Sequence, residues 1–312
     1  MLAILISTFD RYEKLARWTA AQIERQWKKH PPLFYSGLKG DDSRYLNYDG
    51  DEKDWMSVTL HAVEQLQQRG FTHAYLILDD HPPVGPCHEE ALNDILPTLS
   101  LKLDAAYIGL LGYGQHRGIE GKILKRKHAL LEQSSVNYFW KFSLHPGLWN
   151  LEALQLLLSE RMKVYVSESR TAWRFEQHRD DPNNAPVLSL MQRSYRVNGT
   201  LFLKKKWKMK KEIFCESVER FVADILLFKA KTTGGALARH LMQRKLFWRY
   251  GHYLGPYPLF WSGVMQQGKP SENWEQWLQR SGDDALQASW KSVKEEVFFP
   301  SAFNLPSSAS LP

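Results

Sequence analysis

Residues 74–83 read Ala74-Tyr75-Leu76-Ile77-Leu78-Asp79-Asp80-His81-Pro82-Pro83. An apolar run of strand length stops at two adjacent carboxylates, and two prolines keep it from continuing. Strands of a parallel sheet read as near-continuous apolar runs, because helices cover both of its faces. Ligands of open α/β sheets lie beyond the carboxyl ends of such strands. Two carboxylates at that point repel each other unless a cation or a phosphate-bound metal sits between them. The competing reading is an Asp-rich turn that only caps the next helix. So apolar a strand and so abrupt an acid pair favour the metal or substrate reading.

The segments on either side repeat the strand–helix alternation. Leu2 to Ser7 reads as a first strand, and Tyr12, Leu15, Ala16, Thr19, Ile23 and Trp27 then recur at helical spacing. Pro31-Pro32 ends that helix, and Leu33-Phe34-Tyr35 gives a second strand. Asp54 is placed to cap a helix whose inner face is Trp55, Val58, Thr59, Ala62 and Leu66, closing at Gly70. After the acid pair, the pattern predicts a helix over His88 to Leu96 and a strand over Ala105 to Leu111. This order implies an α/β fold with a mostly parallel sheet flanked by helices.

Further along, Gly112 to Gln133 reads as a Gly- and Lys/Arg-rich loop with a short helix. Phe139 to Leu144 reads as an edge strand, and Asn150 as the cap of a helix through Leu158. Val187 to Leu203 resembles two short strands around an Asn198-Gly199 turn. The character then changes, so residues 1–203 are expected to form the α/β core and 204–299 a basic, aromatic, mainly helical C-terminal region. The Ser- and Pro-containing tail 300–312 is expected to be disordered.

Composition narrows the class. The chain has 312 residues, 43% hydrophobic, enough for a large core. Two cysteines, Cys87 and Cys215, are too few for a disulfide framework and point to a reducing compartment. Met1 to Phe9 is apolar but lacks a basic start and a cleavage site, which favours a strand over a signal peptide. No run approaches the roughly 20 apolar residues of a spanning helix. The formal charge of +7 is local: six lysines lie between Lys204 and Lys211, and without them it falls to +1. That patch reads as a solvated linker or as a contact for an anionic surface, with Trp207 and Met209 interleaved.

Several other residues carry potential chemistry. His81 adjoins the acid pair as a further ligand, as a donor to phosphate, or simply as an exposed turn residue. Ser7-Thr8-Phe9-Asp10-Arg11 closes the first strand and opens a helix, where ligand groups can meet backbone N–H donors and an Arg. Taken alone, ordinary capping by Thr8 or Asp10 is the simpler reading of that stretch. Glu176 follows Trp173-Arg174-Phe175, and a carboxylate desolvated by aromatic neighbours can serve as a general base. An ion pair of Glu176 with Arg174 or Arg179 is its plainer role. His145, before Pro146-Gly147, either contacts a polar ligand or holds a turn. Dinucleotide, Walker A, zincin and α/β-hydrolase motifs are all absent from the sequence, which argues against those classes.

Together these segments resemble a nucleotide-sugar glycosyltransferase of the GT-A fold, similar to bacterial enzymes of cell-surface polysaccharides. Ile6-Ser7-Thr8-Phe9-Asp10-Arg11 looks like the family's Pro-Thr-Tyr-Asn-Arg end of the first strand, and 54–66 like the helix before the acidic strand. Leu76 to His81 resembles the Leu-x-Leu-(Asp/Glu)-Asp form of the Asp-x-Asp region. Phe142 to Asn150 looks like Ser-Leu-Gln-Pro-Ala-Ile-Trp, and Trp173 to Glu176 like Trp-x-Phe-Glu. The likeness spans roughly Leu2 to Pro186. It departs in the contiguous acids, in His145 for Gln and in Asp10 for Asn.

The resemblance implies transfer of a sugar from a nucleotide-diphosphate donor to a hydroxyl of a glycan or lipid-linked acceptor, metal-dependent and inverting. Asp79, Asp80 and His81 would hold Mg²⁺ or Mn²⁺. Thr8, Asp10, Arg11, Asp79, Asp80, His145 and Trp173 would meet the donor, and Glu176 would be the base. It further implies a bacterial cytoplasmic setting, with peripheral membrane contact through Lys204–Lys211 and no nucleic-acid partner. The competing functions are a non-catalytic glycan- or membrane-binding protein on a degenerate core, and a sugar-phosphate nucleotidyltransferase. The second normally has a Gly-rich basic loop after the first strand, and residues 7–14 contain no glycine.

Overall fold

The computed structural model describes residues 1–51, 54–110, 131–133, 146–159, 189–190, 192–197, 256–260, 263–266 and 268–298. Its centre is an eight-stranded mixed sheet, flanked by helices on both faces. In chain order the elements are β1 (Leu2–Ser7), α1 (Glu13–Gln26), β2 (Leu33–Ser36), β3 (Tyr45–Leu46), α2 (Trp55–Gln68) and β4 (His73–Leu78). Then come α3 (Leu96–Lys102), β5 (Tyr107–Gly109), β6 (Leu131–Gln133), β7 (Gly147–Asn150), α4 (Leu151–Leu158) and β8 (Ser194–Val197). A small hairpin of β9 (Met265–Gln266) and β10 (Lys269–Pro270) precedes α5 (Glu272–Ser281) and α6 (Asp284–Phe298).

The sheet order is β3-β2-β1-β4-β7-β5-β8-β6. From β3 through β4 every neighbouring pair is parallel, whereas β7 runs antiparallel to both β4 and β5. β8 is parallel to β5, and β6 closes the edge antiparallel to it. The result is a mostly parallel α/β architecture compatible with a Rossmann-like fold.

Period-two alternation explains why helices are needed on both sides. Ile4 and Ile6 of β1 with Tyr75 and Ile77 of β4 pack against Ala16, Ala20 and Ile23 of α1 and Leu96 of α3. Ala3 and Leu5 with Ala74 and Leu76 face the other way, onto Ala62, Val63 and Leu66 of α2 and Leu154 and Leu157 of α4. Asp54 caps α2 by accepting from Ser57 N, as the spacing predicts, and Gly70 follows its end with φ +82°. Asn150 caps α4 by accepting from Ala153 N at 3.0 Å. A further apolar layer covers the outer side of α1. There Leu15 and Trp18 pack with Phe260 and Val264, with Trp274 and Trp277 of α5, and with Trp290 of α6.

Several expectations shift. Gly147, close to the His145 position left open between a ligand contact and a turn, begins a strand in the sheet interior. A Cβ there would overlap the ring of Tyr107, so the glycine serves close packing rather than a bend. The helix expected to stop at Leu96 continues to Lys102 through a π turn at Ala91–Ile95, with Pro97 at the junction. Of the two strands expected around Asn198-Gly199, the first is β8, which ends at Val197 and pairs with β5 and β6; residues 189–190 before it are helical, and 198–203 lie outside the described residues. The expected strand Phe139–Leu144, the helix from Glu212 and the tail 300–312 lie outside the described residues, as does most of the loop and short helix expected over Gly112–Gln133, whose end at 131–133 is the strand β6 and not helix.

Candidate functional site

β1, β2 and β4 are neighbours and parallel, so their carboxyl ends open on one edge of the sheet. The register pairs Ser7 with both Ser36 and Leu78, which sets Thr8, Gly37 and Asp79 side by side just past the strand ends. Asp79 N donates to Ser7 O at 3.1 Å, extending the β1–β4 ladder by one step. The Thr8 hydroxyl donates to Oδ2 of Asp79 at 2.6 Å, and the Thr19 hydroxyl of α1 donates to the Asp79 carbonyl at 2.5 Å. Gly37, at φ +74°, lies flat against the Thr8 carbonyl, where any side chain would collide. Both backbone and side chain of Asp79 are therefore held from two elements.

The electrostatics of the pair are unfavourable by themselves. Burial first, and the adjacent Asp80 carboxylate second, push the Asp79 carboxyl up to about 7, against the opposing bond from Thr8. Asp80 is oriented differently: Nδ1 of His81 donates to its Oδ1 at 2.5 Å. The His81 ring is only 4% exposed, and its carbonyl accepts from the Tyr257 hydroxyl at 3.0 Å. His81 thus stands in the site as the partner that aims Asp80, with that nitrogen occupied by the carboxylate. Gly263 lies against Oδ2, the other oxygen of Asp80, and Val264 N donates to the Asp80 carbonyl at 2.8 Å.

Among the expected residues, the structure brings together Thr8, Asp79, Asp80 and His81. Asp10 and Arg11 sit on a short 3-10 turn (Asp10–Tyr12) leading into α1, both exposed, with the Arg11 guanidinium 5.0 Å above the Tyr12 ring. Capping is not the role of Thr8 or Asp10: α1 is capped at Tyr12 without a side-chain bond, and the Thr8 hydroxyl goes to Asp79. His145, Trp173, Glu176 and the Lys204–Lys211 patch lie outside the described residues. Thr19, Gly37, Tyr257 and Gly263 join the site without having been anticipated. A hydroxyl on the buried face of α1 was the available signal for Thr19. Nothing in the spacing links 257 and 263 to 80.

No group of three or more His, Cys, Asp and Glu side chains that could hold a metal exists among the described residues. A cage built by protein alone is therefore not what these residues offer. Two adjacent hard carboxylates, one held toward its protonated form by burial and then by the other, do suit a small divalent cation that takes its remaining ligands from phosphate oxygens. A cation between Asp79 and Asp80 would relieve the repulsion that raises the Asp79 carboxyl. Comparison of the chain with protein-family models, with curated proteins and with solved structures finds no match.

Proposed function

We propose that this chain is a glycosyltransferase of the GT-A type, moving a sugar from a nucleotide-diphosphate donor to a hydroxyl acceptor in glycan or polysaccharide synthesis. The observation that carries the reading is the acid pair at the carboxyl end of β4, beside the ends of β1 and β2, with Asp79 raised by burial and by its neighbour. Carboxyl ends of parallel strands are where α/β sheets take ligands. The mixed α/β sheet and the order of the motifs along the chain add to the same reading.

In this reading Asp79 and Asp80 hold Mg²⁺ or Mn²⁺. Such a cation, when bound, neutralises charge on the departing diphosphate as a Lewis acid. Thr8 fixes Oδ2 of Asp79, while His81 keeps Asp80 from rotating. Asp10 and Arg11, both exposed on the turn after β1, would meet the nucleotide or its phosphates. The parts assigned to Glu176 as base, and to His145 and Trp173 at the donor, rest on the resemblance alone. So do the inverting outcome, the lipid-linked or glycan acceptor and the bacterial cytoplasmic setting. No helix among the described residues is long and apolar enough to cross a membrane. Contact with a membrane surface would fall to the lysine patch.

The test is a panel of UDP-, GDP- and CDP-sugars assayed for slow donor hydrolysis, with Mn²⁺, with Mg²⁺ and with chelator. One donor hydrolysed only with cation, and not by Asp80→Ala, is the expected result. Absence of cation-dependent donor binding by calorimetry across the panel rejects the transferase and leaves a non-catalytic binding protein.

A further inference from the structure

We propose that residues 256–260 and 263–266, from the far end of the chain, form the outer wall of the acid site, and that Gly263 sets the position of the Asp80 carboxylate. The wall is tied along its length to the segment that follows the acid pair. Val264 N donates to the Asp80 carbonyl, and the Tyr257 hydroxyl, fully buried, donates to the His81 carbonyl. Pro83 and Leu259 form a β-bridge, Val84 N donates to the Pro258 carbonyl at 2.8 Å, and His88 N donates to the Pro256 carbonyl at 2.8 Å. These are backbone and buried bonds, which are costly to leave unmade.

The wall is also rooted behind. Phe260 packs 5.5 Å from Trp274 and 5.7 Å from Trp277, ring centre to ring centre, and Val264 lies in the same aromatic layer. Ser271 N reaches back to the Val264 carbonyl at 2.9 Å, fastening the wall to the start of α5. The aromatic helices therefore anchor Phe260 and Val264, on either side of Gly263, beside Asp80.

Gly263 is the point of contact. Its φ of +71° is one that L side chains rarely adopt. A Cβ there would overlap Asp80 Oδ2, come within 2.9 Å of its Cγ and within 3.1 Å of His81 Cε1. The Asp80 carboxylate is thus set between an imidazole on one oxygen and bare backbone on the other. Only a residue without a side chain leaves Oδ2 where it is. Gly263 and Tyr257 are positioning residues: they act through Asp80 and His81.

The geometry of the wall is independent of the transferase reading, and only its bearing on the cation rests on that reading. The experiment compares Gly263→Ala with Gly282→Ala. Gly282 has φ +69° but nothing within 4 Å of its Cβ position, so it reproduces the backbone strain without the crowding. The first readout is the set of His81 ring signals in NMR spectra of cation-free protein. Gly263→Ala moves them and Gly282→Ala does not. The second is Mn²⁺ affinity in the presence of nucleoside diphosphate, measured by calorimetry. Gly263→Ala weakens it by about tenfold or more, the usual effect of disturbing the groups that orient a metal ligand.

Tyr257→Phe, nearly isosteric, moves the same His81 signals and serves if Gly263→Ala does not fold. Unmoved His81 signals in Gly263→Ala, or in Tyr257→Phe where that variant replaces it, overturn the proposal. So does equal Mn²⁺ affinity in Gly263→Ala and Gly282→Ala. Wild-type protein that binds no Mn²⁺ with any nucleoside diphosphate overturns the transferase reading instead, and the His81 signals then decide the wall by themselves.

Discussion

The Thr8 hydroxyl donates a 2.6 Å hydrogen bond to Oδ2 of Asp79, joining the carboxyl ends of β1 and β4 through side chains as well as backbone. This bond favours the ionised carboxylate and opposes the effects of burial and of Asp80. Thr8→Val, which keeps the shape and removes the donor, should raise the Asp79 carboxyl further above its ordinary value. The cost to Mn²⁺ binding near neutral pH is on the order of 1 kcal/mol, the net worth of one hydrogen bond. Titration calorimetry at pH 6.5 and pH 8 checks this, with the larger loss at the lower pH. Equal affinity in wild type and variant at both values would remove Thr8 from the site.

Asp79 gives the cation-free protein a pH signature. Its carboxyl has an ordinary value of 3.8 and stands at about 7 in the folded chain, so between these the folded state binds the extra proton. Stability from this group therefore falls as pH rises from about 4 to about 7, with a slope of at most about 1.4 kcal/mol per pH unit. Asp42 works oppositely. Arg44 holds it down to about 2, and its contribution is lost as pH falls below the ordinary carboxylate range. Subtracting the urea-unfolding profile of Asp79→Asn from that of wild type isolates the first effect. A flat difference between pH 4 and 7 would refute it.

Trp18 anchors the aromatic layer from the α1 side. Its Nε1 donates to the Ser289 hydroxyl at 3.1 Å, and its ring centre lies 5.2 Å from that of Trp290. Trp18→Ala should cost about 3–5 kcal/mol, the usual range for a large aromatic removed from a core. Urea unfolding followed by tryptophan fluorescence reports it. A loss below about 1 kcal/mol, within the range of ordinary surface substitutions and their neighbours, would mean that α6 is not held through this ring.

Gly147→Ala tests the close approach of β7 to β5. The new methyl would overlap the Tyr107 ring in the sheet interior. Overpacking of this kind costs about 1–3 kcal/mol. Combining it with Tyr107→Leu, which vacates the ring volume, should recover part of the loss in thermal unfolding. No recovery would place the strain in the backbone.

The α/β core was legible because its signals are local. Apolar runs at β1, β2 and β4, Asp54 and Asn150 as caps, and Gly70 as a stop all act within a few residues of themselves. The acid pair stood out for the same reason. The strand at Gly147 gave no such signal, because a glycine after proline looks the same whether it bends the chain or lets a ring approach. The extension of the helix past Leu96 was not legible, because Pro97 sits in the first turn after a wide helical turn. Thr8 was placed beside the ligand edge, but its bond to Asp79 spans 71 residues and leaves no periodic trace. The contribution of Tyr257 and Gly263 is further removed still, since their partners are set by how the aromatic layer docks on α1.

That last distance has a consequence for how the protein is made. Tyr257 and His81 are 176 residues apart in sequence, yet bonded. A ribosome delivers β1, β2 and β4 early, and these can pair while the rest of the chain is still being translated. During that interval Asp80 is bare on the side that Gly263 later covers. Messages cut short before codon 256 would yield a chain with both aspartates but without the backbone that covers Asp80 and without the aromatic cover on α1.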